Sequence, residues 1–165
     1  MGTIMIRTIL ATLLLVSVAA QTEPYSQEKQ FDGWQDLNGE GHNLRRKLLK
    51  QTVFPTQFLC PYTGRLYDNK TAQVNHIVPL NWAWQHGAEG WTPYLRNKFA
   101  NDPDNLVLVY GPIGEAKGDR DPGDWLPPNH AYIPIYISRW KKVCGKYSLD
   151  CDYKLLNSVK SMYQP

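Results

Sequence analysis

Apolar positions in this chain come in short clusters cut by Gly, Pro, Asn and Asp, with a single long apolar run near the start. That run covers residues 9–20, follows the one basic residue Arg7, and closes on small side chains. At twelve residues it is too short for a bilayer, which needs ~20, and it reads as a signal peptide over 1–20. Residues 21–35 are mostly polar, show no periodicity, and read as a flexible arm. From residue 36 onward the pattern fits one domain, 36–165, of ordinary size. Leu44, Leu48 and Leu49 lie on one face of a short helix that Pro55 ends. Pro61-Tyr62-Thr63-Gly64 is a turn into a strand at 65–67. Residues 73–78 are rich in β-branched side chains and stop at Pro79, which predicts a strand. A helix is expected over 81–87. Thr92-Pro93 supplies an N-cap and a first helical proline for another, reaching about Ala100. Asn101-Asp102-Pro103-Asp104-Asn105 is dense turn chemistry, and 106–109 a buried strand. Gly111-Pro112-Ile113-Gly114 reads as a turn before a short helix from about Glu115. Helices over 134–147 and 151–162 follow. Helices outnumber strands and the strands suffice for one hairpin, so the fold class is α+β.

Composition narrows the function classes. A hydrophobic content of 42%, with six Trp and ten Tyr, belongs to a folded domain. The formal net charge is only +3, and it falls by one when Arg7 leaves with the leader. A polycationic nucleic-acid tail and an acidic disordered chain are both excluded. No second apolar run suggests a membrane anchor in the mature form, and one compact domain is expected to act as a monomer. Secretion permits a disulfide between Cys144 and Cys151, seven residues apart, leaving Cys60 over; buried free thiols are the alternative. Asn69-Lys70-Thr71 is an N-glycosylation sequon, so Asn69 is a modification candidate in a eukaryotic cell. The tryptophans read as core, although a Trp-lined carbohydrate-binding protein is a third, weaker reading.

The chemistry concentrates between Asn75 and Pro128. Asn75-His76-Ile77-Val78-Pro79-Leu80 is followed by Ala83-Trp84, His86-Gly87-Ala88 and Phe99-Ala100-Asn101-Asp102. Then come Asn105-Leu106, Lys117-Gly118-Asp119 and Trp125-Leu126-Pro127-Pro128. In order and spacing these words resemble small secreted HNH endonucleases, the His-Me finger or ββα-metal nucleases. The likeness runs from about residue 36 to 150. It implies a hairpin-plus-helix core with added helices, and hydrolysis of DNA or RNA with low sequence specificity. It also implies Mg²⁺ or another divalent cation, if the site is active.

Matched position by position, the resemblance makes His76 the general base and Asn105 the residue that orients its loop. Phosphodiester hydrolysis needs a base for water and positive charge for the phosphate. The family's metal ligands fall on Asn75, where Asp is usual, and on Gly114, where Asn or His is usual. Glu115 is the candidate replacement ligand. Arg45 and Lys117 are candidates for phosphate contact. Asn43 and Pro134 also stand where the pattern often has an acidic residue and a cysteine. Two expectations follow: an exported metal-dependent endonuclease, or a catalytically inactive nuclease-fold module, without metal, that binds nucleic acid or a protein partner.

Overall fold

The protein, in a computed structural model, is described over residues 25–31, 47–48, 50 and 55–163. Two strands organise it: β3 (Ala72–His76) and β4 (Leu106–Tyr110) pair antiparallel, with His76 opposite Leu106 and Asn75 opposite Val107. Val74, Val107 and Val109 suit the pleated ladder, and Pro79 keeps the chain from prolonging it. Leu106, Val107 and Val109 are all buried, so this strand is covered on both faces and reads as an unbroken apolar run. The α+β class expected from the pattern is the class observed.

The strand leads without a loop into the helix that crosses the pair, numbered α4 (Gly111–Lys117) below and packed on both β3 and β4. The sequence reading placed a turn at 111–114 and the helix from about Glu115. Instead, Gly111 and Pro112 form the first helical turn, because proline there has the right φ and lacks only an N–H that would go unbonded. Glu115 is therefore a mid-helix residue.

A second ladder joins β1 (Gln57–Cys60) to β2 (Arg65–Asp68) through the turn ending at Gly64, whose φ is +68°. The sequence reading allowed one hairpin and missed β1. Only Phe58 and Cys60 of its four residues are buried, too short an alternation to stand out. Tyr67 stacks on Tyr110 at 4.1 Å, and the Tyr110 N–H donates to Cys60 Sγ at 3.3 Å, so the two ladders are tied side to side. Cys60 is a buried free thiol.

Helices fill the remaining layers. A single turn, α1 (Gln27–Gln30), precedes α2 (Leu80–Gln85) and α3 (Pro93–Ala100). Thr92 caps α3 by accepting from the Leu95 N–H. Then α5 (Ile133–Tyr147) buries Tyr136, Ile137, Trp140, Val143, Cys144 and Tyr147 along one face. Asp152 caps α6 (Tyr153–Met162), and a disulfide joins Cys144 to Cys151 across the α5–α6 turn. Trp140 lies fully inside, while Trp82, Trp84, Trp91 and Trp125 pack half-buried on the core. Among the described residues no helix is long and apolar enough to cross a membrane.

The arm expected over 21–35 is packed where it is described. Phe31 is 1% exposed and lies beside Phe99, and Tyr25 rests on Trp84. Two aromatic side chains therefore anchor a segment whose polar composition suggested none. Most of the helix expected over 44–50, with Arg45, lies outside the described residues; Lys47, Leu48 and Lys50 are helical. Phe31→Ala should cost about 3–5 kcal/mol of unfolding free energy, the usual range for emptying a buried phenylalanine site. Denaturant unfolding measures it, and a cost below about 1 kcal/mol would mean that the arm is not part of the fold.

Candidate active site

His76 ends β3, and the two residues after it must leave the ladder without leaving their backbone groups unbonded. Asn105 does this for them. Its Oδ1 accepts from the Val78 N–H at 2.8 Å and its Nδ2 donates to the Val78 carbonyl at 3.1 Å. The Ile77 N–H donates to the Asn105 carbonyl at 2.7 Å. Asn105 is wholly buried, so these bonds are made in a low-dielectric interior where leaving either group unpaired is costly. A buried amide thus fixes the bend that aims His76.

The His76 ring is fixed in turn. Its Nε2 lies 2.9 Å from the Ala100 carbonyl at the end of α3. A carbonyl only accepts, so Nε2 carries the hydrogen and the lone pair of the neutral ring sits on Nδ1. Burial pushes the imidazole down to about 4 against the upward pull of the Ala100 carbonyl, and the Lys117 charge adds a smaller downward push. At neutral pH the ring is an uncharged base.

An open cleft of about 180 Å³ brings His76 together with Asn75, Lys117, Gly118 and Asp119, with Gln27 of the N-terminal segment on its rim. Lys117 is fully buried; burial lowers its ammonium to about 7, Asp119 opposes this, and Arg120 adds to it. Asp119 accepts from the Asn81 side chain at 2.9 Å. The sequence marked Lys117-Gly118-Asp119 as a motif but gave no reason to place Asp119 beside His76. Gly118, at φ +54°, makes that placement by turning the chain back as α4 ends.

The residues at the family's metal positions do not suit a divalent cation. Asn75 offers a neutral oxygen already 3.5 Å from the Tyr62 hydroxyl, and its Nδ2 lies 3.5 Å from the Gly114 carbonyl. Gly114 has no side chain and no room for one: a Cβ there would meet Val109 Cγ2 at 3.0 Å and Asn75 Nδ2 at 3.3 Å. Glu115 is exposed and does not line the cleft, because one residue along a helix turns the side chain by roughly 100°. Hard cations favour several oxygens including carboxylates. Among the described residues no group of three His, Cys, Asp or Glu could hold one. Glu115, the candidate replacement ligand, therefore stands outside the cleft lining.

Support for the loop comes from α5, which sequence reasoning did not connect to the site. One Arg139 nitrogen, Nη2, donates to the carbonyls of Pro103, Asp104 and Leu106 at 3.2, 3.1 and 2.7 Å. The buried Asp102 carboxylate accepts from the Tyr147 hydroxyl at 2.8 Å and pairs with Lys146 at 2.6 Å. No local pattern announces these contacts, which join residues more than thirty apart. Asn69 is half-buried, and its Nδ2, the atom a glycan would occupy, donates to the Pro55 carbonyl at 3.1 Å.

Comparison with known proteins adds the family. A model of the C-terminal domain of GmrSD restriction endonucleases matches residues 23–151. The chain is 31% identical over 163 residues to a protein of Arthroderma benhamiae named "Uncharacterized secreted protein", covering 90% of this chain and 79% of that one. No solved structure matches significantly.

Two outcomes follow from the geometry. Asn105→Ala orphans the N–H and the carbonyl of Val78 and should cost about 2–6 kcal/mol in denaturant unfolding, at ~1–3 kcal/mol for each buried group. His76 gives a pH signature. Its folded value lies below the usual ~6.5 of an unfolded histidine, so the unfolded chain binds the extra proton. Its contribution to stability is full above about 6.5 and is lost as pH falls towards about 4. Melting temperatures across that window should drop less steeply in His76→Asn than in the wild type, and parallel curves would refute the assignment.

Proposed function

The chain belongs to the family of the C-terminal domains of GmrSD restriction endonucleases, and from that premise we propose that it is an exported nuclease that hydrolyses phosphodiester bonds of DNA or RNA. The observation that carries the proposal is the state of His76. Its Nε2 is committed to Ala100, its ring is uncharged at neutral pH, and it lines an open cleft beside a buried lysine. In the proposed step, His76 Nδ1 takes a proton from water as the water oxygen bonds to phosphorus. The bond from phosphorus to the leaving sugar oxygen breaks, and that oxygen takes a proton from solvent. An approaching phosphate raises the basicity of the imidazole by its negative charge, which brings the ring towards its useful range.

Low sequence preference follows from the architecture. Bases are read by side chains reaching into a groove, and the cleft is a short concave surface lined by Asn75, His76, Pro79, Leu80, Lys117 and Asp119 with no element placed to enter one. Export is supported by the leader pattern over 1–20, by the name of the Arthroderma benhamiae relative, and by the Cys144–Cys151 disulfide, which suits an oxidising compartment. A second reading is a catalytically inactive binding module. The altered positions Asn75 and Gly114 favour it, since neither can hold the family's cation firmly.

Purified mature protein is expected to nick supercoiled plasmid or cut labelled single-stranded RNA, and His76→Ala is expected to reduce that cutting by at least about 100-fold, the lower range for losing a general base. Gel assays in Mg²⁺, Mn²⁺ and EDTA measure it. Binding without cutting in all three would favour the inactive module.

A further inference from the structure

Lys117 is the group in this cleft that ordinary packing does not explain. Its side chain is wholly buried, yet an ammonium has three donors and this one makes a single long bond, 3.4 Å to the Gly118 carbonyl. Beyond that, Nζ lies 5.9 Å from the centre of the Trp140 ring. No carboxylate lies within ion-pair distance of it among the described residues. A charge buried with so little compensation is expensive, and replacement by an apolar residue would ordinarily be favoured. Lys117 also stands three residues after Gly114, on the same helix and the same side of it. The helix that offers no metal ligand therefore offers a positive charge to the same cleft.

Resting on the nuclease reading of this cleft, we propose that the Lys117 ammonium replaces the divalent cation: turning from its buried position into the cleft it lines, it binds a non-bridging oxygen of the backbone phosphate, so that the site works without metal. The cation's task in phosphodiester cleavage is to neutralise charge gathering on the phosphate oxygens, and a buried ammonium does this more strongly than an exposed one. No ligand set has to assemble, which accounts for the neutral Asn75 and the filled space at Gly114. Gly118 and Asp119 line the same cleft as the lysine. Asp119 separates the two models: its carboxylate would be the natural ligand of a metal, but it repels a phosphate that comes to Lys117.

Fluorescence anisotropy with short labelled single-stranded DNA and RNA tests this in EDTA and in Mg²⁺. Binding should be as strong in EDTA as in Mg²⁺. Lys117→Met should weaken it by about tenfold or more, the scale of one charge-assisted hydrogen bond. Binding should persist in Asp119→Asn, where a phosphate no longer meets the carboxylate but the lysine loses its nearby counter-charge. Binding that needs Mg²⁺ and vanishes in Asp119→Asn, or that ignores Lys117→Met, overturns the proposal. Thermal melting of Lys117→Met distinguishes a ligand-binding lysine from a structural one. An ammonium held nearly unpaired for a ligand predicts a higher melting temperature after its removal, whereas a structural lysine predicts a lower one. Inorganic phosphate titrated in EDTA, read by tryptophan fluorescence, isolates the anion site from the nuclease reading. Phosphate bound and lost in Lys117→Met, with oligonucleotides refused, keeps the anion site and retires the nuclease; no response to either ligand retires both.

Discussion

A single buried amide holds the site in place. Asn105 bonds both polar groups of the Val78 backbone from within the core, and the strand that carries His76 can end there only because it does. Without that bend His76 would leave the face it shares with Lys117 and Asp119. His76 would lose its fixed relation to Ala100, whose carbonyl decides which ring nitrogen carries the proton. The clamp is strong because it is dry: in water the same two bonds would be exchanged at little net cost, whereas here their loss strands two backbone groups.

The clamp needs its own support, which comes from the far side of the sequence. Arg139 gathers three carbonyls of the loop before and after Asn105, and Asp102 is fixed by Tyr147 and Lys146 from the end of the same helix. Lys142 and Lys146 hold the half-buried Asp104 carboxyl below its usual range through hydrogen bonds. The latter pairs are exposed on the lysine side and add little individually. Arg139 matters more, because its planar donors replace water on several carbonyls at once. The disulfide then ties the end of that helix to α6.

The electrostatics of the cleft are set by burial. Its basic groups, His76 and Lys117, are both pulled towards their neutral forms by burial, and each feels the other's positive charge or that of Arg120. Removing an ion from water is expensive in proportion to how little replaces its hydration. In the proposed reading, a bound phosphate would answer both groups at once, restoring charge to the lysine and basicity to the imidazole.

The sequence by itself determined what depends on neighbours along the chain. β-Branched runs gave β3 and β4, Thr92-Pro93 gave the start of α3, and the spacing of apolar residues gave α5 and α6. The order of the words from Asn75 to Pro128 also carried the family likeness, and with it the choice of His76 and Asn105 as candidates. What the sequence misjudged were local signals with two meanings. Gly111-Pro112 is as good a helix start as a turn, and β1 was too short to reveal its alternation. Only the tertiary structure decided which carboxylate belongs to the cleft: Glu115 rotates out to solvent, and Asp119 is carried in by the turn at Gly118. Only it revealed that Lys117 is buried with almost no partner, and that Arg139 braces a loop more than thirty residues away. Backbone preference acts over a few residues and leaves a trace in their order. Burial and charge act through space, and become definite only when distant segments are brought together.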